Sequence, residues 1–244
     1  MGKTIAISNH KGGILKTTST ANIGAHLASK GYRTLLIDLD PQFNLTTFFG
    51  VDSSDNNIFK VLVNSQSAEP IKIRESLFII PSDIELVRGE LAMFPMMERE
   101  SRLIKALNPI KDKFDFILID CPPALGLLTI NAYYACDLIF VPVECEYLSF
   151  TGLKVLERAL DSLEMDIDKI FATKYDSRKV LHQSIFETIR EDERAFKTAI
   201  RTNVASAESA TVNKTIFEYA PTSNGAKDYE NLANEIISDY GKKK

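Results

Sequence analysis

The chain has 244 residues, 45% of them apolar and 25% charged, with a formal net charge of -4. That size allows a sizeable core, as one large α/β domain or two small ones, and the acidic balance excludes a global attraction to nucleic acid or anionic lipid, so such binding needs a local basic patch. Cys121, Cys136 and Cys145 form no C-x-x-C pair, which argues against a disulfide framework or zinc site and for a reducing cytosol.

In chain order, a strand through Ile5-Ala6-Ile7 runs into the loop from Ser8, and the loop opens a helix over Lys16 to about Ser29, with Gly31 as its stop. Thr34-Leu35-Leu36-Ile37 is apolar without alternation, the pattern of a strand covered on both faces of a parallel sheet. Similar runs recur at 77–80, 116–119, 138–143 and 170–172, with a further strand at 196–200. Helical patterns fall at 85–93, 99–107, 150–163, 180–191 and 226–240. Residues 51–70 are polar and loop-like, with a short helix predicted near 58–62. The alternation predicts an α/β fold, a doubly wound, mostly parallel sheet with helices on both faces. We find no internal repeat or long linker, so a single domain is expected over 1–244. The early first strand leaves no space for a signal peptide or an N-terminal helix-turn-helix domain. No apolar run reaches the ~18 residues of a membrane span.

The loop carries the chemistry. Gly12 and Gly13 let a backbone approach an anion closely, and a helix N-terminus offers unpaired N–H groups to phosphate. Lys11 through Thr18, including Ile14 and Leu15, thus reads as a nucleotide phosphate cradle. Lys16 is placed to reach the outer phosphates, and the Thr17 hydroxyl to hold Mg²⁺. A strict P-loop has Gly where His10 and Leu15 stand. Asp120 ends a buried apolar run before Cys121-Pro122-Pro123, which suits a carboxylate that orients magnesium. A buried Asp without a partner costs several kcal/mol, so a cation is expected beside it. In Asp38-Leu39-Asp40-Pro41-Gln42, Asp40 lies nearer the loop and is the candidate to position the hydrolytic water, and joins Thr17 and Asp120 as a candidate metal residue.

The run Lys11-Gly-Gly-Ile-Leu-Lys16-Thr-Thr resembles the deviant Walker A box of the ParA/MinD ATPases. With Leu36 to Gln42, Asn44, Phe114 to Pro123, Val141 to Tyr147, Thr173 to Arg178, Ile200 to Val204 and Gly225 to Tyr229, the chain is similar to ParA/Soj-type partition ATPases over nearly its whole length. That resemblance implies ATP and Mg²⁺ bound in a nucleotide-sandwich homodimer. Lys11 would cross to the partner's ATP, Lys16 and Thr17 would serve ATP in cis, and Asp40 would assist hydrolysis. It also implies Thr202 and Asn203 near the adenine, non-specific DNA binding in the ATP state, and slow hydrolysis stimulated by a ParB-like adaptor. The implied setting is cytoplasmic and nucleoid-associated, in plasmid partition or chromosome segregation. Candidate DNA contacts are Lys174, Arg178, Lys179, Arg201, Lys214 and Lys227.

Two positions depart from the resemblance: family members usually have Gly where Leu15 stands, and often Gly where Phe43 stands. The alternatives are a MinD-like membrane or protein-surface positioning ATPase and a nucleotide-binding switch with little turnover. The membrane form needs a basic amphipathic C-terminal helix, whereas the last helix carries Asp228, Glu230, Glu235 and Asp239, so no membrane binding is expected. A nitrogenase-reductase-like iron–sulfur protein, a rival from a different class, would need paired cysteines bridging a dimer.

Overall fold

The structure is a computed structural model and describes residues 2–53, 55–147 and 149–241. Among the described residues, eight strands are β1 (Lys3–Ile7), β2 (Thr34–Asp38), β3 (Ile71–Arg74), β4 (Leu77–Ile80), β5 (Phe116–Asp120), β6 (Leu138–Glu144), β7 (Lys169–Tyr175) and β8 (Ala195–Arg201). They form one sheet in the order β3-β4-β2-β5-β1-β6-β7-β8, parallel throughout except for the β3–β4 pair.

The unbroken apolar runs are central strands, and their side chains divide by alternation between two cores. Ile5, Ile7, Leu36, Phe116, Leu118 and Phe140 face one side, under helices Lys16–Ser29 and Asn224–Tyr240. Ala6, Leu35, Ile37, Ile117, Ile119 and Val141 face the other, under helices such as Leu127–Ala135 and Ser149–Asp161. The last helix docks through Tyr229, Leu232, Ala233 and Ile236, all at most 1% exposed and at helical spacing. Full burial of each large side chain contributes about 1.5–3 kcal/mol, so this stripe holds the helix although its outer face is acidic. Gly24 lets helix Lys16–Ser29 lie close on the sheet: a Cβ there would come 2.5 Å from Leu36 Cδ2.

Several predicted boundaries change. The helix expected at 85–93 is a 3₁₀ segment, Ile84–Arg88, followed by a short α-helix, Gly89–Met93, with a poor helix former at the join. The 99–107 helix is likewise divided into Arg99–Ser101 and Arg102–Leu107. Asn131 explains the division, because its side chain accepts from Leu103 N at 3.1 Å and donates to Arg99 O at 2.7 Å. Strand β7 extends the expected 170–172 in both directions because it is bonded between β6 and β8.

The connections place β1, β2 and β5 side by side with their carboxyl ends together. Ile7 and Asp38 are both register partners of Asp120. Such an end of an open parallel sheet is where α/β proteins collect ligands.

Candidate functional site

Helix Lys16–Ser29 starts without a side-chain cap, from Leu15 at φ 71° and ψ 25°. Its first-turn N–H groups therefore lack the usual capping oxygen and face the loop. Gly13 is also left-handed (φ 72°), and a Cβ at Gly12 or Gly13 would meet nothing within 4 Å, so the loop opens onto free space. Ile14, 1% exposed, anchors it from behind.

Below this loop is a cleft of ≈580 Å³, in the size range of small-ligand sites. Gly12, Gly13, Leu15, Lys16, Thr17 and Thr18 form one wall, and Asp40, Gln42, Asn44 and Phe48 another. Ala210 and Thr211 also line the cleft, whereas Thr202 and Asn203, the residues expected near the adenine, do not. Those two residues stand at the exit of β8, where Thr202 N donates to Tyr175 O at 3.0 Å and Asn203 abuts Gly225.

Lys16 is 7% exposed, and its Nζ donates to Lys11 O at 3.1 Å. Burial lowers its proton affinity, while the charges of Asp120, Cys121 and Asp40 act to restore it. The cation expected beside Asp120 is therefore Lys16. Asp120 is fully buried; the nearby Thr17 hydroxyl acts to hold its carboxyl down, and Thr20 Oγ1 lies 3.5 Å from Oδ1. Oδ2 has no hydrogen-bond partner among the described residues. Burial, and then the facing Asp38, push the Asp120 carboxyl well above the ordinary range. An orphaned, buried carboxylate oxygen next to a threonine hydroxyl and an open phosphate-sized loop fits a hard divalent cation, whose ligands are oxygens.

Asp38 and Asp40 differ in a way that adjacency in sequence hid. Asp38 is fully buried and accepts from Thr46 N (2.8 Å), Thr46 Oγ1 (2.7 Å) and Asp40 N (3.2 Å). Burial nevertheless raises its carboxyl to about 7. Asp40 lines the cleft, is 8% exposed, and uses Oδ1 to accept from Gln42 N at 2.9 Å. Ser82 Oγ fixes the turn by donating to Asp40 O at 2.9 Å.

Residues 2–173 match the AAA domain family. The chain is 38% identical to the sporulation initiation inhibitor protein Soj of Bacillus subtilis, over 98% of this chain and 100% of that one. The chain belongs to the ParA/Soj family of ATPases. It is also 37% identical to the chromosome-partitioning ATPase Soj of Treponema pallidum, with 100% of both chains covered. A crystal structure described as cobyrinic acid a,c-diamide synthase from Mycobacterium smegmatis, with bound ADP and magnesium, superposes with a TM-score of 0.84 at 29% identity, covering 100% of this chain and 98% of that one.

In this ParA-type chain Lys11 does not line the nucleotide cleft. Its Nζ lies 2.5 Å from Glu144 Oε2 and 2.9 Å from Glu146 Oε2, and these pairs raise its proton affinity, Glu144 foremost. Glu144 was not singled out in the sequence, yet it has the same signature as Asp120, an acid ending an apolar strand.

Three of the basic residues assigned to DNA have partners within the fold. Lys174 Nζ lies 2.9 Å from Glu144 Oε1, Arg178 pairs with Asp176 through two nitrogens, and Arg201 is bidentate on the buried Asp228. Lys179, Lys214 and Lys227 are exposed and make no ion pair among the described residues.

Proposed function

We propose that this ATPase binds ATP and Mg²⁺ in the cleft, joins a second copy face to face across the nucleotide, and in that state binds DNA without sequence preference. The observation that carries this reading is the division of the two loop lysines: Lys16 faces into its own cleft, while Lys11 points out of it toward exchangeable carboxylates. One loop thereby offers a cation to each of two nucleotides.

In the cleft, Lys16 and the first-turn N–H groups would hold the phosphate oxygens. Thr17 and Asp120 would hold Mg²⁺, which when bound neutralises charge on the phosphates and favours phosphoryl transfer. Asp40 orients the attacking water, and Lys11 supplies positive charge to the partner's nucleotide. Closure of two copies excludes bulk water and strengthens these charges. A ParB-like adaptor accelerates the slow hydrolysis and releases DNA, in a nucleoid-associated cytoplasmic cycle. The chromosome-partitioning role named for the Treponema relative supports that setting.

The basic residues best placed for phosphate are Lys179, Lys214 and Lys227, with Arg178 and Arg201 contributing where their internal partners release them. No helix of the described residues is long and apolar enough to cross a membrane. The last helix also uses its acids internally: Glu235 accepts from Lys197 N and Thr198 N, and Asp228 holds Arg201.

The test is binding to random-sequence duplex DNA without nucleotide, with ADP and with ATP-Mg²⁺. Binding with ATP alone, lost in Lys16→Ala and Lys11→Ala and weakening with salt at a slope of about -0.9 per neutralised phosphate, is the expected result. Binding that ignores nucleotide, or none at all, would remove DNA as the matrix. A second reading, a switch with little turnover, draws on Leu15 in the left-handed region, and adaptor-stimulated phosphate release separates it from the first.

A further inference from the structure

We infer that Glu144 is a positioning residue which, with Glu146, latches Lys11 inside its own subunit, and that Lys174 makes the latch reversible by keeping Glu144 paired when Lys11 leaves. The latch sets the ATP concentration at which two copies join, and so rests on the sandwich-dimer reading above.

The geometry is that of one carboxylate shared by two cations. Glu144 Oε2 takes Lys11 at 2.5 Å, and Oε1 takes Lys174 at 2.9 Å. The Glu144 side chain is only 7% exposed, whereas Lys11 and Lys174 are 40% and 36% exposed. The acid is therefore fixed, and the lysines are its movable partners. Its backbone is tied as the last residue of β6, in register with Thr173 of β7, so Lys174 follows on the neighbouring strand. Burial alone would raise the Glu144 carboxyl, but its bonds to Lys11 and Lys174 outweigh that and hold it below the ordinary range. The charged form is thus the resting form.

There is room for the movement. A cavity of ≈400 Å³ lies between Lys11, Glu144, Ser149 and Gly152. His10 Nδ1 and Ser149 Oγ, which border it, are buried without partners among the described residues. The outer side of the loop is therefore loosely packed around the lysine that must travel.

Lys11 cannot serve Glu144 and a partner's phosphate at the same time, so dimerisation exchanges one anion for another. If Glu144 had only Lys11, its release would leave a buried, unpaired carboxylate, which is strongly unfavourable. Lys174 removes that obstacle. Two substitutions should therefore act in opposite directions. Glu144→Gln keeps the shape but removes the resting attraction, and should lower the ATP concentration for half-maximal dimer about tenfold, the scale of one charge-assisted hydrogen bond. Lys174→Met keeps the stem but removes the spare counterion, and should raise it. In the Glu144→Gln background, Lys174→Met should have no further effect, since no carboxylate remains to be stranded. Glu146, whose side chain is 54% exposed, should matter about twofold when changed to Gln.

The experiment is sedimentation of the full chain against ATP-Mg²⁺ in the absence of DNA, for wild type, both single variants and the double variant. A parallel measurement, the rate of reductive methylation at Lys11 in nucleotide-free protein by mass spectrometry, needs neither nucleotide nor partner. Opposite shifts in the ATP midpoint, loss of the Lys174→Met effect in the double variant, and faster Lys11 labelling in Glu144→Gln are expected. Shifts in the same direction, or unchanged labelling in Glu144→Gln, overturn the latch while an ATP-driven wild-type dimer leaves the sandwich reading standing. No wild-type dimer at any ATP concentration removes the sandwich reading and the latch with it.

Discussion

The two lysines of the phosphate loop, five residues apart, stand in opposite surroundings. Lys16 is buried over the carboxyl ends of β1, β2 and β5, among acids that the register of the sheet fixes beside it. Lys11 is nearly half exposed, and its acids come from the end of β6 and the turn beyond it. A cation held by strand ends belongs to the resting fold, whereas one held by surface-reaching side chains is free to change partners. The same loop therefore combines a permanent part and an exchangeable part.

Substitution of each lysine should separate these parts. Lys16→Ala is expected to abolish nucleotide binding by the monomer in calorimetry and to lower phosphate release by at least about 10²–10³-fold. Lys11→Ala should leave monomer nucleotide affinity within about threefold while removing the ATP-driven dimer, since its charge is worth little to its own cleft. Equal losses in both would erase the contrast.

Asp120→Asn probes the permanent part next. Because burial and Asp38 raise the Asp120 carboxyl, the folded protein retains a proton that the unfolded chain gives up. That stabilising contribution is complete below the ordinary carboxylate value of 3.8 and is lost as pH rises through the raised value. In chelator, the melting temperature of Asp120→Asn should therefore gain on wild type as pH rises from about 4 to 8. With Mg²⁺-nucleotide the order should reverse, with metal affinity lowered roughly tenfold or more. Asp38, with its carboxyl raised to about 7, adds to the wild-type loss over the same interval.

Arg201→Ala is expected to cost about 2 kcal/mol in urea unfolding. That is less than the 3–5 of a fully buried pair, because the Arg201 side chain is 37% exposed while Asp228 is 6% exposed. Lys227→Ala should leave stability within about 0.5 kcal/mol and affect only DNA binding. Leu15→Gly should also change stability little. Relief of a left-handed residue, worth roughly 1–2 kcal/mol, is offset by lost side-chain packing and greater unfolded-state freedom, for a net shift below about 1 kcal/mol.

The parallel sheet and phosphate loop were legible because both leave local marks. Thr34–Ile37, Phe116–Ile119 and Leu138–Val143 are apolar without alternation, and the loop combines glycines and lysines at a strand-to-helix join. Helix Leu127–Ala135 was missed because it buries Leu128, Thr129, Asn131, Ala132 and Tyr133 around most of its girth and so lacks a polar face. Edge strand β3 is short and reads as loop. Within the site, Asp40 and Asp120 could be picked out by position, but the fully bonded state of Asp38 depends on Thr46, eight residues away on the next helix. The Lys11–Glu144 pair joins residues 133 apart through strand order alone, which no local pattern records. The pairing of Arg201 with Asp228 likewise emerges only when the last helix docks.

Leu15 and Phe43 precede the two helices that border the cleft, both with positive φ, at 71° and 44°. A side chain at such a position leaves the backbone few other conformations, whereas glycine would leave many. The loop thus already has little disorder to surrender. In calorimetry, nucleotide association should carry a smaller entropic penalty for wild type than for a Leu15→Gly, Phe43→Gly double variant, even where their affinities coincide.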